Sequence, residues 1–247
     1  MTPAMRSPAG FDDMRRETLR HLAGLCAAAA MTAPKSGGQL VLRGAAPFIE
    51  TLWLEDRARQ GELSGWMQAC GREPREAIWF RDADLCERVD GVLFIGLKDS
   101  YSHVYDCGAC GYATCAELLD ATTAQRKLAG HTLEFASPTC SLCDIDLGIA
   151  VGSAAKTASI NNVDCRCQTR VAAAARRLKV IRADVPVALS LSLTHKAEDF
   201  DRRIPEVDFD AASDAEPPAP RLGPRAAATG GRIGGRHRQA RTKGETP

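Results

Sequence analysis

Aromatic side chains are scarce in this 247-residue chain, where three Trp, three Tyr and seven Phe make up only 5% of the residues. Forty alanines carry much of the 45% hydrophobic fraction, so the core expected here is built from small side chains that favour close helix packing. No run approaches the roughly 18 consecutive apolar residues that span a bilayer, and no membrane partner is expected. The first twenty residues, MTPAMRSPAGFDDMRRETLR, mix acids and arginines with no apolar stretch, which does not read as a signal peptide and points to the cytoplasm. Neither a P-loop nor a G-x-G-x-x-G after a strand occurs, so a nucleotide-binding enzyme lacks direct support. The length exceeds one small module and falls short of two enzyme domains, so one core domain with appendages is expected.

The formal charge is only +1, but its distribution is uneven. Glu206 to Glu216 holds five acids and no base, whereas Pro217 to Pro247 holds seven Lys/Arg against one acid. Residues 1–216 are therefore net −5 and the end of the chain net +6. We expect a domain over 1–203 and a disordered tail over 204–247, acidic and then basic, because that tail has almost no apolar anchor. Its arginines have no stacking aromatic beside them, so the tail reads as solvated and nucleic acid is not the expected partner.

Leu19, Leu22, Leu25 and Cys26 recur at helical spacing and predict a helix from Phe11 to about Thr32, ended by Pro34 and Gly37-Gly38. A second helix is expected over Pro47 to about Ala69. The best buried strand is Val92 to Ile95 between Gly91 and Gly96, and the next best is Val185 to Leu193. Helices are expected at Cys115 to Leu128, Leu142 to Ile160 and Arg166 to Leu178. This alternation predicts an α/β fold, with α+β as the alternative, in one layered domain carrying a cysteine-rich loop insertion.

Ten cysteines stand against these scarcities. In a reducing compartment clustered thiolates mark metal or redox chemistry. The segment 98–143 concentrates them. KDSYSHVYDCGACGYATC places Cys107, Cys110 and Cys115 in a C-x2-C-x4-C array directly after the best strand. Three thiolates so close need a loop that turns around an object, and Gly108 and Gly111 provide the backbone freedom for it. Three near cysteines and one remote cysteine suit an iron–sulfur cluster better than a lone zinc ion. The remote candidate is Cys140, in Ser-Pro-Thr-Cys before a helix whose N-terminus would favour an anionic cluster, and Cys143 is its competitor.

A rival arrangement pairs Cys140 and Cys143 with Cys165 and Cys167 as a four-cysteine zinc site, and the contrasting function is a non-enzymatic interaction module stabilised by zinc or by a structural cluster. Otherwise Cys143, Cys165 and Cys167 read as small packed hydrophobes, as do the isolated Cys26, Cys70 and Cys86. Tyr101, Tyr105 and Tyr112 all fall around the array, where aromatic rings either dry a cluster or anchor the loop. His103 reads as a solvated loop residue and is not counted in the site.

The stretches KDSY…CGACGY.TC, SPTC…DIDLGIAVGSAAKTASINNVD and LSLSLTHKAEDFDRR resemble a bacterial and archaeal family described as uncharacterised proteins containing a ferredoxin domain. The likeness runs from about Leu22 to Arg203. The three-cysteine array is also similar to the [4Fe-4S] domain of the corrinoid iron–sulfur protein's large subunit. The resemblance implies one [4Fe-4S] cluster on Cys107, Cys110, Cys115 and Cys140. The gap from Cys115 to Cys140 is longer than in the corrinoid protein's domain. Family members more often read VDNR where this chain has Val163-Asp164-Cys165-Arg166.

In DLGIAVGSAAKTASI, Gly148, Gly152, Ala155 and Ser159 recur at helical spacing, which predicts a smooth face for close helix packing, with a flat flavin as the alternative. The stretch AAAAMTAPKSGGQ, Ala27 to Gln39, followed by Gly44 to Pro47, resembles the start of flavin-dependent nitroreductases. It lacks the arginine pair expected to hold an FMN phosphate, which weighs against bound FMN. The leading expectation is therefore electron transfer or a cluster-assisted redox role. One cluster passes single electrons, so a redox partner protein or second cofactor is implied.

Overall fold

The computed structural model describes residues 8–36, 47–73, 75–98, 102–129, 135–193 and 203–211. Its elements run α1 (Pro8–Thr32), β1 (Ile49–Leu54), α2 (Arg57–Arg72), α3 (Ala77–Arg88), β2 (Gly91–Leu97), α4 (Cys115–Ala129), α5 (Ser141–Ile160), β3 (Asp164–Gln168), α6 (Thr169–Arg177) and β4 (Val185–Ser192). The four strands form one sheet in the order β1-β2-β4-β3, with every neighbouring pair antiparallel. The fold is the expected layered α/β domain. None of the described helices is long and apolar enough to cross a membrane.

Strand β2 sits between β1 and β4 and is buried along its whole length. Leu93, Ile95 and Leu97 face a core with α1 and α5, while Val92 and Phe94 face a second core with α2, α3 and α6. A strand covered on both faces must be apolar at every position, which is why it reads as an unbroken run. On the first side, Ala23, Cys26 and Ala30 of α1 meet Ala150, Ala154 and Ala158 of α5, so small side chains bring these two helices together. Alanine serves the same purpose in α6, where Ala172, Ala174 and Ala175 are fully buried against the other face.

Two expected helix starts are strands instead. Residues 49–54, expected inside a helix from Pro47, form β1 and pair with β2 from Ile49↔Leu97 to Leu54↔Val92. The chain then breaks at Asp56, whose carboxylate accepts from the Ala58 amide at 2.9 Å and begins α2. Gly91 accommodates this pairing, since a Cβ there would meet the Trp53 ring at 2.3 Å. Similarly, residues 164–168, of which Arg166 was the expected helix start, form edge strand β3 on β4, and the helix begins at Thr169. Helix α3 was not foreseen from the sequence. Of residues 203–211, Phe209 to Ala211 rest on the end of α2 and on α3; the rest of the expected tail, 212–247, lies outside the described residues.

Candidate metal centre

Strand β2 delivers the chain to a loop that runs over the first core and into α4. The loop turns repeatedly through the left-handed region, at Val104 (φ 58°), Asp106 (47°), Gly108 (71°) and Gly111 (86°). Glycine adopts such angles freely, but a β-branched valine does so only where neighbours impose it. Here the Val104 amide donates to Ser102 Oγ at 3.3 Å, and the adjacent His103 is buried. Gly111 N donates to Gly108 O at 2.9 Å, closing a turn around Cys110. At the end of the loop, Cys115 N donates to Asp106 Oδ1 at 2.6 Å and Asp106 N donates to Cys115 Sγ at 3.4 Å. This reciprocal pair starts α4, reinforced by Glu117 N on Thr114 Oγ1 at 3.2 Å.

The three array cysteines differ in exposure: Cys107 is exposed, Cys110 half-buried and Cys115 buried. Cys110 and Tyr112 pack against the same core as Cys140 and Cys143. Cys140 is the N-cap residue of α5, and its side chain makes no capping hydrogen bond. The free amides and positive end of this 20-residue helix therefore favour a negative charge at Cys140. Next to it, Ser141 Oγ donates to Ala109 O at 3.2 Å, tying the start of α5 to the middle of the Cys107–Cys110 turn. From the other side, Thr122 Oγ1 of α4 donates to Pro138 O at 2.6 Å. A narrow cleft lined by Lys98, Leu118, Thr122 and Pro138, with room for about one water, reaches Cys140.

Cys143 is fully buried, and burial, with Cys140 beside it, pushes its thiol far above the usual range. The four-cysteine zinc arrangement does not form. Cys165 Sγ donates to Ala155 O at 3.8 Å. Ala155 lies twelve residues beyond Cys143 on α5, about 18 Å at the helical rise. Thiolates around one zinc lie within about 4 Å of each other. Among the described residues, no three His, Cys, Asp or Glu side chains converge closely enough to share one ion. Cys165 instead packs near Cys26, whose thiol burial pushes up to about 11, while Cys167 is exposed on the edge strand rather than packed. Cys70 and Cys86 are buried as expected.

His103, expected in solvent, is enclosed. Its side chain is 1% exposed and its Nε2 lies 2.9 Å from Oδ2 of Asp146, itself 2% exposed, on α5. Ser36 Oγ donates to the same oxygen at 2.8 Å and its amide to Asp146 Oδ1 at 2.9 Å. Phe48 meets the imidazole edge-on at 5.3 Å and Tyr105 lies 5.5 Å away. Beside this network Lys35 donates to the Ala30, Met31 and Ala33 carbonyls at the end of α1. Burial lowers the Lys35 amine below its ordinary value, and the Asp146 charge opposes that shift. The network joins the end of α1, the cysteine loop and α5. The signal available in the sequence was Asp146, the second of two acids at the start of α5, which falls at helical spacing with Cys143, Leu147 and Ala150 on the apolar face. Of the three tyrosines, Tyr101 lies outside the described residues.

Of the smooth face of α5, Ala155 packs against the core shared with α1, and the rest is open. Gly148, Gly152 and Ser159 are exposed, and a Cβ at either glycine would meet nothing within 4 Å. Helix α1 lies on the neighbouring face, and between them Ala29, Ala33, Pro34, Gly152, Ser153 and Lys156 line a shallow, open groove.

A family profile described as an uncharacterised protein containing a ferredoxin domain matches residues 136–202. An uncharacterised protein of Archaeoglobus fulgidus is 32% identical over 190 residues, which is 77% of this chain and 95% of that protein. Among solved structures, NfrA1 of B. megaterium superposes with a TM-score of 0.41 at 11% identity over 75% of this chain, which spans only 62% of that chain. The hypothetical oxidoreductase YcnD of Bacillus subtilis gives 0.39 at 13% identity over 77% of this chain and 68% of its own. A nitroreductase-like protein of Streptococcus mutans gives 0.40 at 8% identity over 82% and 90%.

Proposed function

The chain belongs to the family described as uncharacterised proteins containing a ferredoxin domain, and from that premise we propose that it is an iron–sulfur protein holding one [4Fe-4S] cluster on Cys107, Cys110, Cys115 and Cys140. The observation that carries the reading is the Ser141–Ala109 hydrogen bond at 3.2 Å, which sets the N-cap cysteine of α5 against the turn of the three-cysteine array. All-thiolate donors suit iron–sulfur ligation. The left-handed turns at Gly108 and Gly111 let the chain curl tightly between Cys107 and Cys115 with no Cβ at either turn. A bound cluster would supply one-electron oxidation and reduction.

The chain's own residues set the conditions for that transfer. The α5 N-terminus stabilises negative charge at Cys140, and the core behind Cys110 and Tyr112 excludes water from one side. Exposed Cys107 marks the side from which a redox partner reaches the centre. The test is anaerobic purification with metal and sulfide analysis. About four iron and four sulfide per chain are expected. Stoichiometric zinc with negligible iron overturns the reading.

The groove between α1 and α5 favours a second reading, a bound flavin, because it joins part of the Ala27–Gln39 stretch to the open glycine face of α5. Purified protein then carries a flavin absorption doublet that is lost when Gly152→Leu fills the groove. Colourless protein that does not bind added FMN refutes it.

A further inference from the structure

On the far side of the sheet, the corner where α2 turns into α3 holds a short piece of the chain's own C-terminal region. We propose that this corner is a recognition site for a short acidic-aromatic peptide, a phenylalanine between two aspartates, and that Val207–Ala211 is its dissociable intramolecular occupant.

The corner is shaped for the purpose. At Gly71, a Cβ would come within 2.6 Å of Trp79 Cβ and 3.1 Å of the Phe80 ring, so glycine lets α3 close on α2 and leaves Phe80 beside Arg72. The Arg72 guanidinium lies 5.8 Å from the Phe80 ring centre. Arg72 Nη1 donates to Phe209 O at 3.1 Å and to Ala211 O, reading main chain and so fixing register. The Phe209 ring meets Phe80 edge-on at 5.5 Å and 89°, with the Arg75 guanidinium 5.0 Å above it. Arg75 also pairs with Asp210 at 3.1 Å. Two cations and a ring thus recognise backbone carbonyls, an aromatic side chain and the following carboxylate.

The occupant is organised for display. Asp210 N donates to Asp208 Oδ1 at 3.0 Å, an Asx-type turn that places Phe209 at its apex. Such a local turn persists in a free peptide better than an extended segment does, which lowers the ordering cost of binding. The surrounding Glu206–Glu216 stretch, with five acids and no base, complements the two arginines. Docking is reversible because the ring is only half buried, the ion pair's partners are 60% and 80% exposed, and the two Arg72 hydrogen bonds to main chain can be exchanged for bonds to water. Tethering keeps the local concentration high, so the segment occupies the site until a partner with the same chemistry competes for it. The corner belongs to the α2/α3 layer and the candidate metal centre to the α5 side, so the two can be engaged together.

The test uses the full chain and a fluorescein-labelled peptide, PEVDFDAAS, covering residues 205–213. Phe209→Ala vacates the site and should bind the peptide saturably by fluorescence polarisation. Wild type should bind it about tenfold more weakly, because its own segment occupies the site. The double variant Phe209→Ala/Arg72→Ala, and a peptide with Phe209→Ala, should not bind. No saturable binding to Phe209→Ala, or equal binding by wild type or by the double variant, overturns the proposal. Hydrogen exchange on wild type gives an independent readout without any substitution. Excess unlabelled peptide should accelerate exchange in residues 207–211, and unchanged exchange overturns displacement.

Discussion

Replacing Asp146 with asparagine should destabilise the protein more than any surface change, and the cost follows from the groups it serves. The carboxylate accepts from the Ser36 amide at 2.9 Å and the Ser36 hydroxyl at 2.8 Å, and it lies 2.9 Å from His103 Nε2. It is also the negative charge that supports the buried Lys35 amine. In Asp146→Asn the carboxamide would retain a single carbonyl acceptor and add two donors where the surroundings already donate. Removing one partner of a buried charged pair costs about 3–5 kcal/mol. For a domain of this size that is a drop of about 6–20 °C in the thermal midpoint.

The pH dependence provides a second measurement with a fixed sign. Burial lowers the Lys35 pKa in the folded state, so between that value and the ordinary lysine value the unfolded chain carries more protons. Stability therefore rises with pH across that window. In Asp146→Asn the opposing charge is gone, the folded value falls further and the rise begins at lower pH. Urea unfolding followed by circular dichroism at a series of pH values measures both effects. A loss under about 1 kcal/mol, the size of an exposed pair, would refute the buried-network account.

Cys140→Ser should lose most of the bound iron while Cys143→Ser retains it; iron content reversed between the two would make Cys143 the fourth ligand. Gly148→Ala should stabilise the protein by about 0.5–1 kcal/mol, since it removes backbone freedom and a Cβ there meets nothing within 4 Å. A destabilised variant would mean that this face of α5 is covered. Gly91→Ala should instead cost about 1–3 kcal/mol by driving a methyl into the Trp53 ring, read from the denaturation midpoint. Iodoacetamide near neutral pH should label exposed Cys167 faster than buried Cys86 in the folded apo chain, because burial raises both thiols but pushes Cys86 up to about 12. Mass spectrometry showing Cys86 labelled as fast as Cys167 would contradict that burial.

Sequence spacing was most informative where the chemistry is local. Cys107, Cys110 and Cys115 are separated by few residues, and their glycines at 108 and 111 do adopt the left-handed turns the array needs. Helix α5 was legible from Leu142, one residue inside its observed start at Ser141, to its end at Ile160, because Pro138 precedes it and mostly apolar residues fill it. The run Ile49–Leu54 was ambiguous by its nature: six mostly apolar residues satisfy either period, and the partner strand that decides lies about forty residues away. Strand β3, Asp-Cys-Arg-Cys-Gln, has little strand propensity and exists because β4 offers its edge.

The sequence alone thus determined the layered α/β class, the doubly covered central strand and the thiolate array, since each depends on neighbours along the chain. Only the tertiary structure decided that His103 is buried, that residues 36, 103 and 146 meet, and that Cys165 is separated from Cys143 by most of a helix. Those outcomes depend on how α1 and α5 cross the sheet, and that packing is set by alanines whose small size leaves no pattern distinguishing one buried face from another.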